Sequence, residues 1–404
     1  MKHVITVLVL AVCALKLEAQ NVWMQLDSVN GSPKSVCAAF TANGEGYVAS
    51  GLEYAGFMRK MYSYNPLQDD WDNEQSIGGV NGGGLSRGSA SGFSIYDKGY
   101  VCLGQGDNTD FLNDVWEYDP LLDVWTQKAN YPGTARRGAV AFVIDNIAYV
   151  GTGEDATGLR KDFYKYDPLT NVWGNVADFG GTPRKQAVGF AMGNQGYVGT
   201  GNDGVMKNDF WQYLVFQNTW VQKANFPGTA RAGATGWGMF PSGFIATGED
   251  LNFNYTNDVW EYNYFTNQWI QRASLPGSGR KHAISFMING VAYLGTGYNG
   301  GFLDDFYAYY GIVGMGESNG LTQVVTYPNP VVSELFIQLN GVRAEDHVLA
   351  VFNAEGRDVT RNFSINPNGE RYTVNVNGSA SGTYWYSITT AEGDQIAVSG
   401  FVVQ

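Results

Sequence analysis

Apolar and polar residues alternate along this chain in short runs, the period of strands with one buried face, and the runs are punctuated by clusters of Asp, Asn, Gly and Pro. One stretch reads AVAFVI, IAYVGTG, DFYKYDP and NVWGNV, which predicts four short strands joined by tight turns. The same line then returns. NDVWEYDPLLDVW at 113–125 recurs as KDFYKYDPLTNVW at 161–173 and NDVWEYNYFTNQW at 257–269, with looser copies at 59–71 and 208–220. The closing tryptophans, Trp71, Trp125, Trp173, Trp220 and Trp269, are spaced by 54, 48, 47 and 49 residues. Phe40, Phe93, Phe142, Phe190, Trp237 and Phe286 step by 53, 49, 48, 47 and 49, as do Gly51, Gly104, Gly153, Gly201, Gly248 and Gly297, so the repeat is present six times. A period near fifty residues predicts propeller blades, because a lone four-stranded unit leaves two faces and two edges uncovered.

The sixth copy, DDFYAYY at 304–310, stops before its tryptophan. The missing strand is found at the other end of the chain: NVWMQLDSVNGSPKS aligns with NVWGNVADFGGTPRKQ of the third copy, and Trp23 lies 48 residues before Trp71. The chain is therefore expected to close by pairing its first strand with its last repeat. Taken together, residues 20–310 resemble the kelch family of β-propellers, on the Tyr followed by Gly-Thr-Gly, the aromatic-x-Tyr-Asp-Pro run and the single Trp of each unit. The fold expected is all-β: a six-bladed kelch-type β-propeller closed by the N-terminal strand, plus a small C-terminal immunoglobulin-like β-sandwich. Leu214 and Tyr264 depart from the family's Asp-Pro turn.

After Tyr310 the pattern breaks into GIVGMGESNG, read as a linker over 311–321, and a second set of alternating runs begins. Residues 322–404 resemble the C-terminal sorting domain of the type IX secretion system of Bacteroidetes, on Tyr327-Pro328-Asn329-Pro330, the strand ELFIQL, the turn AEGR, Gly382-Thr383-Tyr384 and a terminal FVVQ; Gly400 stands where that family often has a lysine. The resemblance implies the type IX machinery as a partner and a secreted or surface-anchored product. A generic sandwich added for binding is the alternative.

Composition narrows the class. With 53 Gly, 11 Trp, 25 Tyr and 22 Phe in 404 residues, the chain suits many short strands and sharp corners. The first 19 residues, basic then apolar then small, read as a secretory signal peptide, and no apolar run is long enough for a transmembrane span. Net charge is −13, and −14 once those residues remove two cations and one anion, which argues against nucleic acid and anionic lipid as partners. Cys37 and Cys102 are expected as free buried thiols.

Residues present once per repeat are expected to be structural, and departures from the repeat are better candidates for function. Asp114, Asp162, Asp209, Asp258 and Asp305 precede the third strand and are expected to cap turn amides. Lys34, Arg87, Arg136, Arg184, Arg231 and Arg280 follow the tryptophans, in a turn expected to share a face with Glu53, Asp107, Glu154, Asp155, Asp203, Glu249 and Asp250. Two readings stay open: a structural ring of Arg–carboxylate pairs, or a polar mouth where arginine forks hold a ligand. Phe253, Tyr255 and Tyr298 add aromatics in loops that break the repeat. The propeller contains one histidine, His282, so no copper site of several imidazoles can be built, and no cofactor is implied. The function expected is a non-catalytic binding module for a glycan or protein ligand. A sugar mutarotase resembling the kelch-type sialic acid mutarotases, using Glu154 or Glu249 with Arg231, is the second reading, and a structural adhesion component the third.

Overall fold

The computed structural model describes residues 21–79, 83–107, 110–310, 324–339, 342–353, 356–390 and 395–404; the signal peptide and the linker expected from the sequence lie outside these residues. Six four-stranded antiparallel sheets dominate. Their first strands are Ala38–Ala42, Ser91–Ile95, Val140–Ile144, Val188–Met192, Thr235–Met239 and Ile284–Ile288. Each touches the next, and the last touches the first, so the sheets stand as blades in a closed ring around a channel, a β-propeller. The strands arise where the pattern places them, and the blade interior explains why. Within each blade an aromatic of the first strand stacks on one of the second: Phe40 on Tyr47, Phe93 on Tyr100, Phe142 on Tyr149, Phe190 on Tyr197, Trp237 on Phe244 and Phe286 on Tyr293, with centroids 5.0–5.8 Å apart. Such a pair contributes about 0.5–1.5 kcal/mol beyond its buried area. The next blade must leave room for that ring. It does so with a small residue: a Cβ at Gly46, Gly99, Gly196 or Gly243 would run into Phe286, Phe40, Phe142 or Phe190 of its neighbour.

The ring is closed by the chain's own beginning. Val22–Leu26 is the outer strand of the sixth blade, antiparallel to Phe302–Tyr310, with Trp23 opposite Tyr309 and Gln25 opposite Tyr307. Trp23 then behaves like every other closing tryptophan. Its indole N–H donates to the Ala273 carbonyl at 2.8 Å, as Trp71 does to Asp27, Trp125 to Gln75, Trp173 to Ala129, Trp220 to Ala177 and Trp269 to Ala224, each reaching the preceding blade. Asn21 completes a second set: its side chain accepts from the Tyr309 hydroxyl at 2.8 Å, as Asp69 does from Tyr64 and Asn218 from Tyr213.

The C-terminal strands form a sandwich of one four-stranded and one three-stranded sheet. Leu335, Ile337, Tyr372 and Val374 of the first sheet share a core with Leu349, Val351, Tyr386, Ile388 and Phe401 of the second. This domain rests on the propeller face formed by the turns between first and second strands. Phe352 and Trp385 pack with Phe240, Tyr264 and Phe265, and Arg357 pairs with Asp145. We call this the lower face. The upper face, formed by the second-to-third-strand hairpins and the links between blades, faces away from it. Cys37 and Cys102 are free thiols.

Deleting residues 21–31 leaves Phe302–Tyr310 as an unpaired edge and removes the bond to Ala273. The expected outcome is loss of the monomer peak in size-exclusion chromatography, with aggregation; a soluble, monomeric deletion variant contradicts the closure.

Candidate functional site

The arginines expected at the mouth of the channel are not there. Arg87, Arg136, Arg184, Arg231 and Arg280 are 0–1% exposed. Each guanidinium lies inside its blade, donating two parallel bonds to the aspartate before the third strand: Arg87 to Asp114 at 2.6 and 2.6 Å, Arg136 to Asp162 at 2.6 and 2.8 Å, Arg184 to Asp209 at 2.5 and 2.8 Å, Arg231 to Asp258 at 2.5 and 2.9 Å, and Arg280 to Asp305. A further N–H reaches a hairpin carbonyl, that of Leu103, Thr152, Thr200, Thr247 or Thr296. Two expectations are corrected here. The repeated aspartates serve the arginines rather than turn amides, and the arginine partners are these aspartates rather than the loop acids. A fully buried cation needs a bidentate partner and filled donors, and only the aspartate at the root of the hairpin provides both. The surroundings are shaped to match: the guanidinium carbon lies 4.9 Å from the Phe179 or Phe226 ring at Arg184 and Arg231, and a Cβ at Gly181 or Gly228 would come within 2.8 or 2.9 Å of the arginine nitrogen.

Blade one departs from the set. Lys34 stands in place of the arginine, fully buried, and Lys60 in place of the aspartate. The Lys34 ammonium donates to the Asn30 carbonyl at 2.6 Å and lies 4.7 Å from the Tyr62 ring centre. Burial lowers its pKa, against the attraction of Cys37 and Glu53. It too is withdrawn from any ligand.

The position immediately after the ring cation pairs with the hairpin between second and third strands, and where it carries a long side chain, at Arg137, Lys185 and Lys281, that side chain is partly exposed. Reading round the propeller this position is Ser35, Gly88, Arg137, Lys185, Ala232 and Lys281, bridged in turn to Leu52, Gln105, Glu154, Asn202, Glu249 and Tyr298. Unlike the ring cation, neither member of these pairs is kept through the six blades. Arg137 donates to Glu154 at 2.8 Å and to Gln105; Lys185 donates to Glu154 at 2.8 Å; Lys281 donates to Glu249 at 2.8 Å. Burial pushes the Glu154 carboxyl up, but hydrogen bonds from Lys185 and Arg137 outweigh it and the group ends below its ordinary value. Asp203 sits further out, accepting from Thr182 and Lys207, which hold it down at about 2 against burial. Tyr255 and Tyr298 meet edge to face at 6.2 Å, with the Lys281 ammonium 5.8 Å from each ring, while Phe253 is 76% exposed beside them. Of the residues singled out in the sequence, the structure thus brings Glu154, Glu249, Tyr255 and Tyr298 to the rim. Arg137, Lys185, Lys281, Gln105 and Asn202 were missed, although their positions are not held constant from repeat to repeat.

Below the rim, the channel narrows to a space of about 200 Å³ lined by Ala39, Gly92, Ala141, Gly189, Gly236 and Ser285, with little side-chain chemistry. His282 lies near Gln186, and burial of the ring together with the neighbouring Lys281 lowers its pKa to about 3, so the ring is neutral. A wider cavity of about 780 Å³ lies between the lower turns and the C-terminal domain, and its two charged residues, Asp145 and Arg357, face each other.

Comparison with known proteins agrees with this division. Residues 325–404 match the family described as the secretion system C-terminal sorting domain. The chain is thereby marked for type IX export, to be released or attached at the cell surface. The solved structure titled "Structure of YjhT" is 19% identical, with a TM-score of 0.58, over 70% of this chain and 96% of that one. That likeness extends to the propeller fold. No curated protein matches the sequence.

Burial pushes the Asp209 and Asp258 carboxyls up, yet the hydrogen bonds from Arg184 and Arg231 prevail and hold both below their ordinary value of 3.8. A carboxylate with a depressed folded pKa stabilises the protein above its unfolded value and ceases to as pH falls through the folded one. Acid unfolding followed by tryptophan fluorescence should therefore set in below about pH 4. Arg184→Ala, which leaves Asp209 without its partner, should cost about 3–5 kcal/mol in denaturant unfolding; an unchanged midpoint contradicts the structural role.

Proposed function

We propose that this exported chain is a kelch-repeat propeller acting as a non-catalytic binding module, taking a glycan or protein ligand on its upper face. One observation carries the reading. The departures from sixfold repetition gather on the rim at Arg137, Lys185, Lys281, Glu154, Glu249, Tyr255 and Tyr298, on the face that the C-terminal domain leaves uncovered. Structural residues are kept the same in every blade because every blade poses the same packing problem; residues free of that demand can answer to a ligand. The rim has what selective recognition of a polar ligand needs, namely oriented donors and acceptors beside aromatic surface, raised on a rigid support.

The Glu154 carboxyl favours binding over proton transfer. A general acid or base works best with a pKa near the working pH, and Glu154, held below its ordinary value by two cations, is moved away from that range. Arg231, the cation suited by sequence to a catalytic role, lies inside its blade, so its removal would report on folding.

The mature chain should bind members of a glycan or extracellular-protein panel, and Arg137→Met and Lys281→Met should each weaken that binding about tenfold or more with little change in thermal midpoint. Anomer exchange of sialic acid and common hexoses, followed by NMR, should proceed at the uncatalysed rate. Acceleration abolished by Glu154→Gln would overturn the non-catalytic reading in favour of a mutarotase.

A further inference from the structure

We propose that the second-to-third-strand hairpins of blades five, six and one form a ridge that seats a chain of neutral sugars, crossing the seam where the propeller closes. This rests on the binding-module reading and extends it from the mouth to a second, outer stretch of the same face.

The ridge is a line of four aromatic side chains in contact. Tyr255 meets Tyr298 at 6.2 Å and 83°, Tyr298 meets Phe302 at 5.6 Å and 65°, and Phe302 meets Tyr54 at 4.8 Å and 77°. Three separate blades supply them, and Tyr54 and Phe302 come from opposite sides of the seam. Tyr54 is 76% exposed, as is Phe253 at the outer side of blade five, whereas the repeated tyrosines of the second strands, Tyr47, Tyr100, Tyr149, Tyr197 and Tyr293, are 0–6% exposed. Most other aromatics of the propeller are spent on blade packing, and the exposed Tyr96 and Phe216 lie in turns of the lower face, between first and second and between third and fourth strands. On the ridge the rings stay in reach of solvent and lean on one another, so their arrangement is set before a ligand arrives.

The other half of the upper face is built differently. The hairpins of blades three and four carry Asp155, Arg160, Asp203 and Lys207, closed into ion pairs at 2.5 and 2.7 Å, with no ring comparable to Tyr54 or Phe302 among their described residues. The line of contacting rings thus lies on one side of the face, while ion pairs occur on both sides.

Chemistry selects the ligand class. Pyranose rings present apolar C–H faces with hydroxyls around the edge, which suits an aromatic platform flanked by hydrogen-bonding groups. The ridge hairpins supply these as Asn252, Asn254, Asn299, Gly300 and Gly301. The Asn299 amide is already oriented, donating to the Ser278 hydroxyl at 2.8 Å. The cations beside the ridge are matched: Lys281 by Glu249 at 2.8 Å and Lys60 by Glu53 at 3.7 Å. With no surplus positive charge along the line, a neutral sugar chain fits better than an acidic one. Four rings in sequence favour several linked residues over a single sugar.

The test measures binding of the mature chain to neutral oligosaccharides of increasing length, in the glucose, mannose and N-acetylglucosamine series, by calorimetry. The ridge predicts that affinity rises with length in at least one series. Tyr54→Ala and Phe302→Ala should each weaken the longest ligand about tenfold, the size of one aromatic contact, while sparing the shortest ligand and the thermal midpoint. Tyr54→Trp should restore the long-ligand affinity. If affinity is independent of length and of both substitutions, while Lys281→Met still abolishes binding, the ridge is overturned and the mouth reading stands. If the panel finds only polypeptide ligands, and Tyr54→Ala weakens them, the ridge is a protein-binding surface and the sugar assignment is overturned. If the wild-type chain binds neither glycan nor protein, the module reading beneath both is overturned.

Discussion

Everything in the propeller hangs on one residue position, the cation between the last strand of one blade and the first strand of the next. Its side chain and its main chain bind in opposite directions. The guanidinium of Arg184 holds Asp209 and the Thr200 carbonyl of its own blade, while its main-chain carbonyl accepts the Gly153 N–H of the preceding blade at 2.7 Å. The arrangement recurs at every joint: Gly51 to Arg87, Gly104 to Arg136, Gly201 to Arg231, Gly248 to Arg280 and, across the seam, Gly297 to Lys34, at 2.7–2.9 Å. The geometry requires glycine. These residues have φ between 94 and 122°, and a Cβ at Gly153 or Gly297 would come within 2.9 Å of a main-chain oxygen. A single position therefore couples the internal order of one blade to its attachment to another, which makes the ring cooperative rather than a stack of independent sheets.

The same coupling explains how much could be read from the sequence. Strand positions, the repeat and the closing strand were legible because they are written six times, and a pattern that packs against copies of itself must keep the same residues in register. Trp23 was assigned to the sixth blade from its spacing and from the likeness of its segment to the third repeat, and it makes the same indole bond as its five counterparts. The direction in which a side chain points was not legible. A string of arginines at the turns next to a channel looks like a mouth, yet the buried Arg136 and the rim-facing Arg137 are consecutive residues. Alternation along an extended segment turns neighbours to opposite sides, and five repeated arginines draw the eye to the wrong member of the pair. The repeat itself contained the correction: the position that never varies beyond Arg or Lys is structural, and the next, running through Ser, Gly, Arg, Lys, Ala and Lys, is not under the same packing demand.

The two ends of the chain act on opposite sides of the ring. The first strand completes the sixth blade and so brings Phe302 beside Tyr54, and hence the upper-face hairpins of blades six and one into one surface. The last eighty residues carry the export signal and lie against the lower turns. The sorting domain and the rim are thus on opposite faces of the propeller, and none of the rim contacts described involves the sorting domain.

Blade one shows which half of the joint is indispensable. There the aspartate is replaced by Lys60, and an arginine retained opposite it would have been a buried charge without a partner, a defect of several kcal/mol. Lys34 avoids this by placing a smaller ammonium against the Tyr62 ring and the Asn30 carbonyl, in a setting where burial already lowers its pKa. The side-chain contract has been rewritten on both partners, yet the Lys34 carbonyl still accepts from Gly297 at 2.9 Å. The main-chain link between blades survives where the ion pair does not. Closure of the ring is therefore the stricter requirement, and the arginine–aspartate pair is the usual means of holding the carbonyl where closure needs it.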